Sequence, residues 1–239
     1  RNAMDVSMAP YSHHQFWHGR GGPRENQAQL PGHEPRQRAN TIAAMERYLR
    51  RDASYREQFD AAFGQGRIAM DKVAKSIAAY QRTLYPRNRG FDRYLAGRDN
   101  ALSSNQLLGL HLFRTKARCI NCHNGPAMSD DSFHNLGIHF FGRKREDLGR
   151  FEVTGNPADS GAFRTPSLRN VPRNGPYMHN GIFPSLEGIV NMYNAGAFRP
   201  RPVGAQVDDP TFPKTDPLLQ PLQLSAAERA ALVDFLSTL

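Results

Sequence analysis

Cys119-Ile120-Asn121-Cys122-His123 holds both cysteines of this 239-residue chain, set at C-x-x-C-H spacing. That spacing is the signature of covalent c-type haem attachment. Two thioether bonds need two thiols about one helical turn apart, and a histidine that follows at once brings an imidazole nitrogen to the proximal side of the iron. The motif therefore provides both the anchor and the first axial ligand. A thioredoxin-like C-x-x-C needs a βαβ context, and a zinc site needs two further soft ligands. Neither accompanies Cys119 and Cys122.

The motif also sets a compartment. Its cysteines must meet haem as free thiols outside the cytoplasm, which in bacteria means the periplasm. A signal peptide is then expected to have been removed, because Arg1 to Gln15 has no continuous apolar stretch and the chain opens on arginine. A processed or truncated product is the expectation. No run approaches the length of a membrane span.

Working outward, 239 residues suffice for one domain or two small ones, and an apolar fraction of 39% is slightly low. Gly 20 and Pro 17 point to much irregular loop. Loops wrapped around a porphyrin account for both, since the cofactor itself contributes core. The formal charge of +9 comes from scattered lysines and arginines without interleaved aromatics, so it reads as solvated surface and excludes a nucleic-acid partner.

Helical periodicity recurs, and strand alternation is nearly absent. Thr41 to Arg50 puts Ile42, Met45 and Leu49 on one face, and Asp52 to Phe63 puts Tyr55, Phe59 and Phe63 on another. Met70 to Leu84 carries the stripe Val73, Ile77, Tyr80 and Leu84, with Asp71 in the first turn, where negative charge complements the helix dipole. Ser103-x-x-Gln106 is a capping box opening a helix through Leu107, Leu110 and Phe113 into Cys119. Ser225-x-x-Glu228 opens a last helix burying Leu232, Val233, Leu236 and Leu239, and Ser185 caps Leu186 to Asn194. Between Asn124 and Pro184, glycine and proline recur too often for long elements.

The fold class expected is all-α. Residues 101–239 follow a cytochrome c plan with long loops, in which the last helix packs across the first. Residues 1–100 form helices of a second, incomplete cytochrome c-like domain that lacks a C-x-x-C-H of its own, with the boundary near residues 85 to 103.

The sixth coordination position decides the chemistry, and the candidates are Met128, His134, His139, Met178, His179, Met192 and Tyr193. Methionine gives a high-potential electron carrier, whereas tyrosine lowers the potential and stabilises higher oxidation states. Met192 and Tyr193 are neighbours on one helix, so their side chains diverge by roughly 100° and only one faces the iron. His13, His14, His33 and His134 have no partners at metal-site spacing and read as surface or structural groups.

Four ordered blocks carry a resemblance over nearly the whole chain. They are Gln15-Phe16-Trp17-His18-Gly19-Arg20, the run Lys75 to Leu84, the run Gly161 to Val171, and Pro176-Tyr177-Met178-His179-Asn180-Gly181. With the single C-x-x-C-H they resemble the bacterial dihaem cytochrome c peroxidase and MauG family. The resemblance assigns Cys119, Cys122 and His123 to the second of two haems, and the motif for the first is expected on a missing N-terminal segment. It makes Trp17 the electron bridge between the haems and puts Gln27 and Pro31 on the peroxide-binding side of the first. Tyr193, seven residues after Leu186, falls where MauG-like members carry tyrosine and other members carry methionine. Met192 stays the alternative. A calcium ion between the haems is implied, held by the Asn2 side chain and the Asn174 and Pro176 carbonyls, an oxygen donor set that suits it. Arg164 and Arg169 are candidates for haem propionates, which guanidinium binds well.

Two positions depart from the family pattern. Gln37 stands where an acid-base glutamate is usual, and an amide cannot shuttle a proton, which leaves Glu34 nearby as a substitute. His18 replaces the aspartate after the tryptophan. The function expected from the resemblance is a periplasmic oxidoreductase that uses hydrogen peroxide to oxidise an electron-donor or substrate protein, with a homodimer as a compatible assembly. The alternative is a monohaem electron-transfer cytochrome without peroxidase activity.

Overall fold

The computed structural model describes residues 1–8, 11–22, 25, 27–28, 41–87 and 89–239. Among these residues the regular structure is eight α-helices, several single 3-10 turns and one two-residue strand pair. The all-α reading holds at that level. No helix among the described residues is long and apolar enough to cross a membrane.

The first three helices form a unit with its own small core. Helix α1 (Ile42–Arg51) is capped by Thr41 Oγ1, which accepts from Ala44 N, and α2 (Ala53–Phe63) by Asp52 Oδ1, which accepts from Tyr55 N. Helix α3 (Met70–Thr83) begins after Ala69, which has no side chain to cap with. Glu46 of α1 does that work instead: its carboxylate accepts from Met70 N at 3.0 Å and from Arg67 at 2.9 Å. Leu49, Ile68, Met70 and Val73 pack together, with Ile42, Met45, Phe59 and Ile77 around them.

Two apolar stripes expected from periodicity are placed differently. On α3 the buried residues are Met70, Val73, Ala74 and Ala78, while Tyr80 is 64% exposed. The two alanines occupy the inward face, and the bulkier tyrosine is turned to water. Helix α2 buries no residue fully; Phe59 and Phe63 stack on one another at 5.7 Å instead.

The second core belongs to α5 (Ser104–Arg114) and α8 (Ala226–Leu236). Both open on the expected capping boxes. Ser103 Oγ accepts from Gln106 N while Ser103 N donates to Gln106 Oε1, and Ser225 and Glu228 repeat the exchange. The helices cross at Gly109, where a Cβ would lie 2.0 Å from Ala231 O, so only glycine permits this approach. Leu110, Phe113, Leu232 and Phe235 fill the interface, with Leu236 and Leu239 behind them. Phe235 makes edge-to-face contacts with Phe113 at 5.3 Å and with Phe91 at 5.4 Å. Phe91 lies on α4 (Gly90–Leu95), and its N–H donates to Thr238 O. Residues from Arg89 onward therefore pack with this second core.

Between α5 and α7 (Leu186–Asn194) the chain is mostly loop, as the glycine and proline pattern implies. It contains β1 (Phe133–His134), paired antiparallel with β2 (Phe163–Arg164), and the single-turn α6 (Phe151–Thr154). Ser185 Oγ caps α7 by accepting from Gly188 N. Residues 1–22 lie against this loop region. Arg164 N donates to Trp17 O at 2.8 Å, and the Arg1 guanidinium binds both Asp147 oxygens and Glu152.

Candidate haem site

Helix α5 ends at Arg114 with Thr115 as its cap, and Arg118, in a left-handed conformation, turns the chain into the single 3-10 turn Cys119–Asn121. Cys122 N and His123 N both donate to Cys119 O, which holds the two thiols and the imidazole on one compact turn. All three side chains line a cavity of about 250 Å³ whose wall is mainly apolar. Burial pushes the Cys119 thiol up to about 12.

His123 is oriented by its own loop. Nδ1 donates to Met128 O at 3.1 Å, so the lone pair resides on Nε2, the nitrogen a metal takes. Burial lowers its pKa against the pull of the Met128 carbonyl and Asp130, which favours the neutral, ligating form.

Helix α7 presents Leu186, Ile189, Val190 and Tyr193 to the same cavity, a stripe at helical spacing. Burial raises the Tyr193 phenol well above its usual range, and the nearby Cys119 and Cys122 sulfurs add to the effect. Met192 is buried in protein and does not line the cavity. Of the other sixth-ligand candidates, His134, Met178 and His179 line it, whereas Met128 and His139 do not.

The N-terminal segment supplies more of the wall than the sequence suggested, since Met4, Asp5, Met8, Tyr11 and Ser12 join Asn2 and Trp17 there. Trp17 is buried, donates from Nε1 to Asn2 O at 3.0 Å, and meets His179 edge-on at 6.4 Å. His179 stacks on Phe163 at 3.5 Å, and burial lowers its pKa to about 4, so it is neutral. Asn2, Asn174 and Pro176 come together at one side: the Asn2 amide bonds to Pro176 O, and Asn174 Nδ2 donates to Asp5 Oδ2 at 2.8 Å. Oxygen donors beside a carboxylate are a suitable set for calcium.

The two arginines separate. Arg164 lines the cavity with Nη1 bound to Asp131 at 2.8 Å and to Ser12 Oγ at 2.9 Å. Arg169, expected at a propionate, stands outside the cavity wall; it is spent on Asp92 of α4 and on Pro126 O. Asp92 lies 77 positions away in the chain, so sequence spacing does not reveal the pair. Gln27 is half-buried and outside this cavity. Pro31, His33, Glu34 and Gln37 lie outside the described residues.

His134 is a feature that sequence reasoning treated as bland. Its Nδ1 meets Asp216 at 2.6 Å and its Nε2 meets Asp130 at 3.0 Å, with the Cys122 sulfur in the same cluster. The Cys122 sulfur foremost, then Asp216 and Asp130, holds this imidazole up at about 10. The Asp130–His134 i,i+4 spacing was visible in the sequence, but the Asp216 contact closes a long loop and was not.

Paired thiols, a neutral imidazole with its tautomer fixed and an apolar wall together describe a protein built around c-type haem. When bound, such a haem supplies one-electron redox chemistry tuned by its axial ligands. Comparison with known proteins narrows the class. Residues 1–100 match the family model described as di-haem cytochrome c peroxidase. The chain is 34% identical to cytochrome-c peroxidase IdrP1 of Pseudomonas sp. (strain SCT) over 268 residues, covering 100% of this chain and 68% of that protein. It is 35% identical to cytochrome c551 peroxidase of Nitrosomonas europaea over 190 residues, covering 79% of this chain and 57% of that protein. A solved MauG-like protein associated with microbial copper homeostasis matches with a TM-score of 0.86 at 29% identity, over 100% of this chain and 75% of that one. The chain belongs to the di-haem cytochrome c peroxidase family, a family of peroxidase-type oxidoreductases. It spans between about half and two thirds of the length of these two curated relatives.

Proposed function

We propose that this chain forms the second-haem part of a periplasmic dihaem oxidoreductase that uses hydrogen peroxide to oxidise a protein partner. The observation that carries the reading is the shared cavity, into which the Cys119-Cys122-His123 turn and Tyr193 of α7 both project. His123 and Tyr193 would both hold the iron of this haem, whose chemistry would then be one-electron relay rather than peroxide binding. Tyrosine rather than methionine lowers the potential and favours higher oxidation states. Met192 is the weaker candidate, because it is absent from the cavity wall.

The chain's own residues then have definite tasks. Trp17 borders the cavity with its indole N–H fixed on Asn2 O, which suits a rigid electron bridge. Arg164 offers its guanidinium to a propionate while Asp131 holds it in place. Asn2, Asn174 and Pro176 would hold calcium, stiffening the junction between residues 1–22 and the loop before α7. Gln27 and Gln37 belong with a first haem on a preceding segment. Residues 1–100 would complete that first domain and 101–239 form the second, both cytochrome c-like, with α4 (Gly90–Leu95) of the first part packed on the core of the second.

A monohaem electron-transfer cytochrome is the second reading, and Gln37 favours it because an amide does not move protons. The test is a haem count on the natural protein combined with stopped-flow mixing of peroxide and a reduced donor cytochrome. Two haems and peroxide-dependent oxidation of the donor are expected. One haem with no peroxide reaction would select the monohaem reading.

A further inference from the structure

We infer that Asn194 is the positioning residue that holds Tyr193 at its working distance from the haem-attachment turn. The inference rests on the proposed ligation by Tyr193, and its test separates the two. Asn194 is the last residue of α7 and diverges from Tyr193 by roughly 100° around the helix, so it does not share the cavity face. It spends both of its acceptors on one passing segment. Oδ1 accepts from Leu224 N at 2.8 Å, and the main-chain carbonyl accepts from Leu222 N at 3.1 Å.

That segment is a strap with two fastened ends. At its start Pro221 sits against Gly196, where a Cβ would lie 2.8 Å from Pro221 N, and Arg118 reaches from the position before Cys119 to donate from Nη2 to Gln220 O at 3.1 Å. At its far end Leu224 N is held by Asn194 Oδ1. Gln220 and Leu222 themselves line the cavity. Beyond Leu224, which is buried, the chain enters α8, whose contact with α5 is fixed at Gly109. The helix bearing Tyr193 and the turn bearing His123 are therefore tied through residues 220–224 and not only through side-chain packing. Losing Oδ1 would leave the Leu224 N–H without a partner and free the end of α7 to move away from the turn.

The test uses the haem-loaded chain and three variants, read by the low-spin signal in electron paramagnetic resonance and by the fraction of haem that binds added imidazole. Asn194→Ala should keep its covalent haem while the imidazole-accessible fraction rises about tenfold, the effect of one lost hydrogen bond. Asn194→Asp retains the acceptor oxygen and should behave as the parent. Tyr193→Phe should lose the parental low-spin signal altogether. A parental spectrum in Asn194→Ala alongside a changed Tyr193→Phe overturns the inference and leaves Tyr193 as ligand. A parental spectrum in Tyr193→Phe overturns both. If Asn194→Ala does not fold, Arg118→Asn releases the other end of the strap with a residue that tolerates the left-handed conformation. It should show the same rise in imidazole binding, and an unchanged fraction overturns the inference.

Discussion

Replacing Gly109 by alanine is expected to destabilise the protein, against the direction that helix propensity alone gives. The new Cβ would lie 2.0 Å from Ala231 O and 2.7 Å from both Ala231 C and Phe235 Cβ. Two of these three atoms are backbone, so no rotamer change relieves the contact. To restore an ordinary 3.4 Å separation, α5 and α8 must part by about 1.4 Å at their crossing. Overpacking of this kind costs about 1–3 kcal/mol, and separation also loosens Phe113 against Phe235. Alanine returns about 1 kcal/mol of helix propensity over glycine. The net loss is about 1 kcal/mol, which for a chain of this length lowers Tm by about 2–4 °C. Far-ultraviolet circular dichroism melts measure it, with Gly188→Ala as the internal control. There the Cβ meets only Phe183 at 3.4 Å and Ser185 at 3.7 Å, so that variant should be neutral or slightly stabilised. A Gly109→Ala melt at or above the parental Tm would refute the close-crossing argument.

Other outcomes follow from the same geometry. His139 is buried with Nδ1 accepting from Phe141 N, and burial lowers its pKa from 6.5 to about 4. The unfolded chain takes up this proton first, so stability is full above about pH 6.5 and falls as pH drops towards 4, by at most about 3 kcal/mol from this residue. Urea unfolding at neutral pH and at about pH 4.5 should show the loss, and His139→Phe should reduce it, with buried His179 contributing a loss of the same sign. Arg169→Met removes the partner of Asp92 and should cost about 2 kcal/mol in a melt, less than a fully buried pair because Asp92 is partly exposed. Its haem spectrum should match the parent, since Arg169 stands outside the cavity; a shifted spectrum would restore it to the propionates. Ser225→Ala should cost about 1 kcal/mol through loss of the α8 cap, read by the same melt.

Legibility in the sequence followed the range of the interactions. Local chemistry was readable: both capping boxes, the Ser185 cap and the attachment turn depend on residues within four positions of one another, and each lies where spacing put it. Tyr193 facing the cavity while Met192 turns into protein is a consequence of helical phase, but the sequence could not say which of two adjacent faces was inward. Long-range polar pairing was hidden. Glu46 capping α3, Asp92 claiming Arg169 and Asp216 claiming His134 join positions brought close only by the fold. Aromatic periodicity was only partly right on α2 and α3: Phe59, Val73 and Ile77 reach the first core, but Tyr55 and Tyr80 on the same stripes face water. Tyr80 is exposed, and the small residues Ala74 and Ala78 hold the buried face. The contribution of residues 1–22 to the cavity was invisible for a related reason: their backbone is irregular, and their place is set by bonds such as Arg164 N to Trp17 O.

The most direct measurement is the intact mass of the chain produced in a periplasm competent for haem attachment, with alkylation of any free thiol. The account predicts one haem added to this chain, on a peptide containing Cys119 and Cys122, and no thiol left to alkylate. A chain of unmodified mass whose two cysteines both react would contradict it.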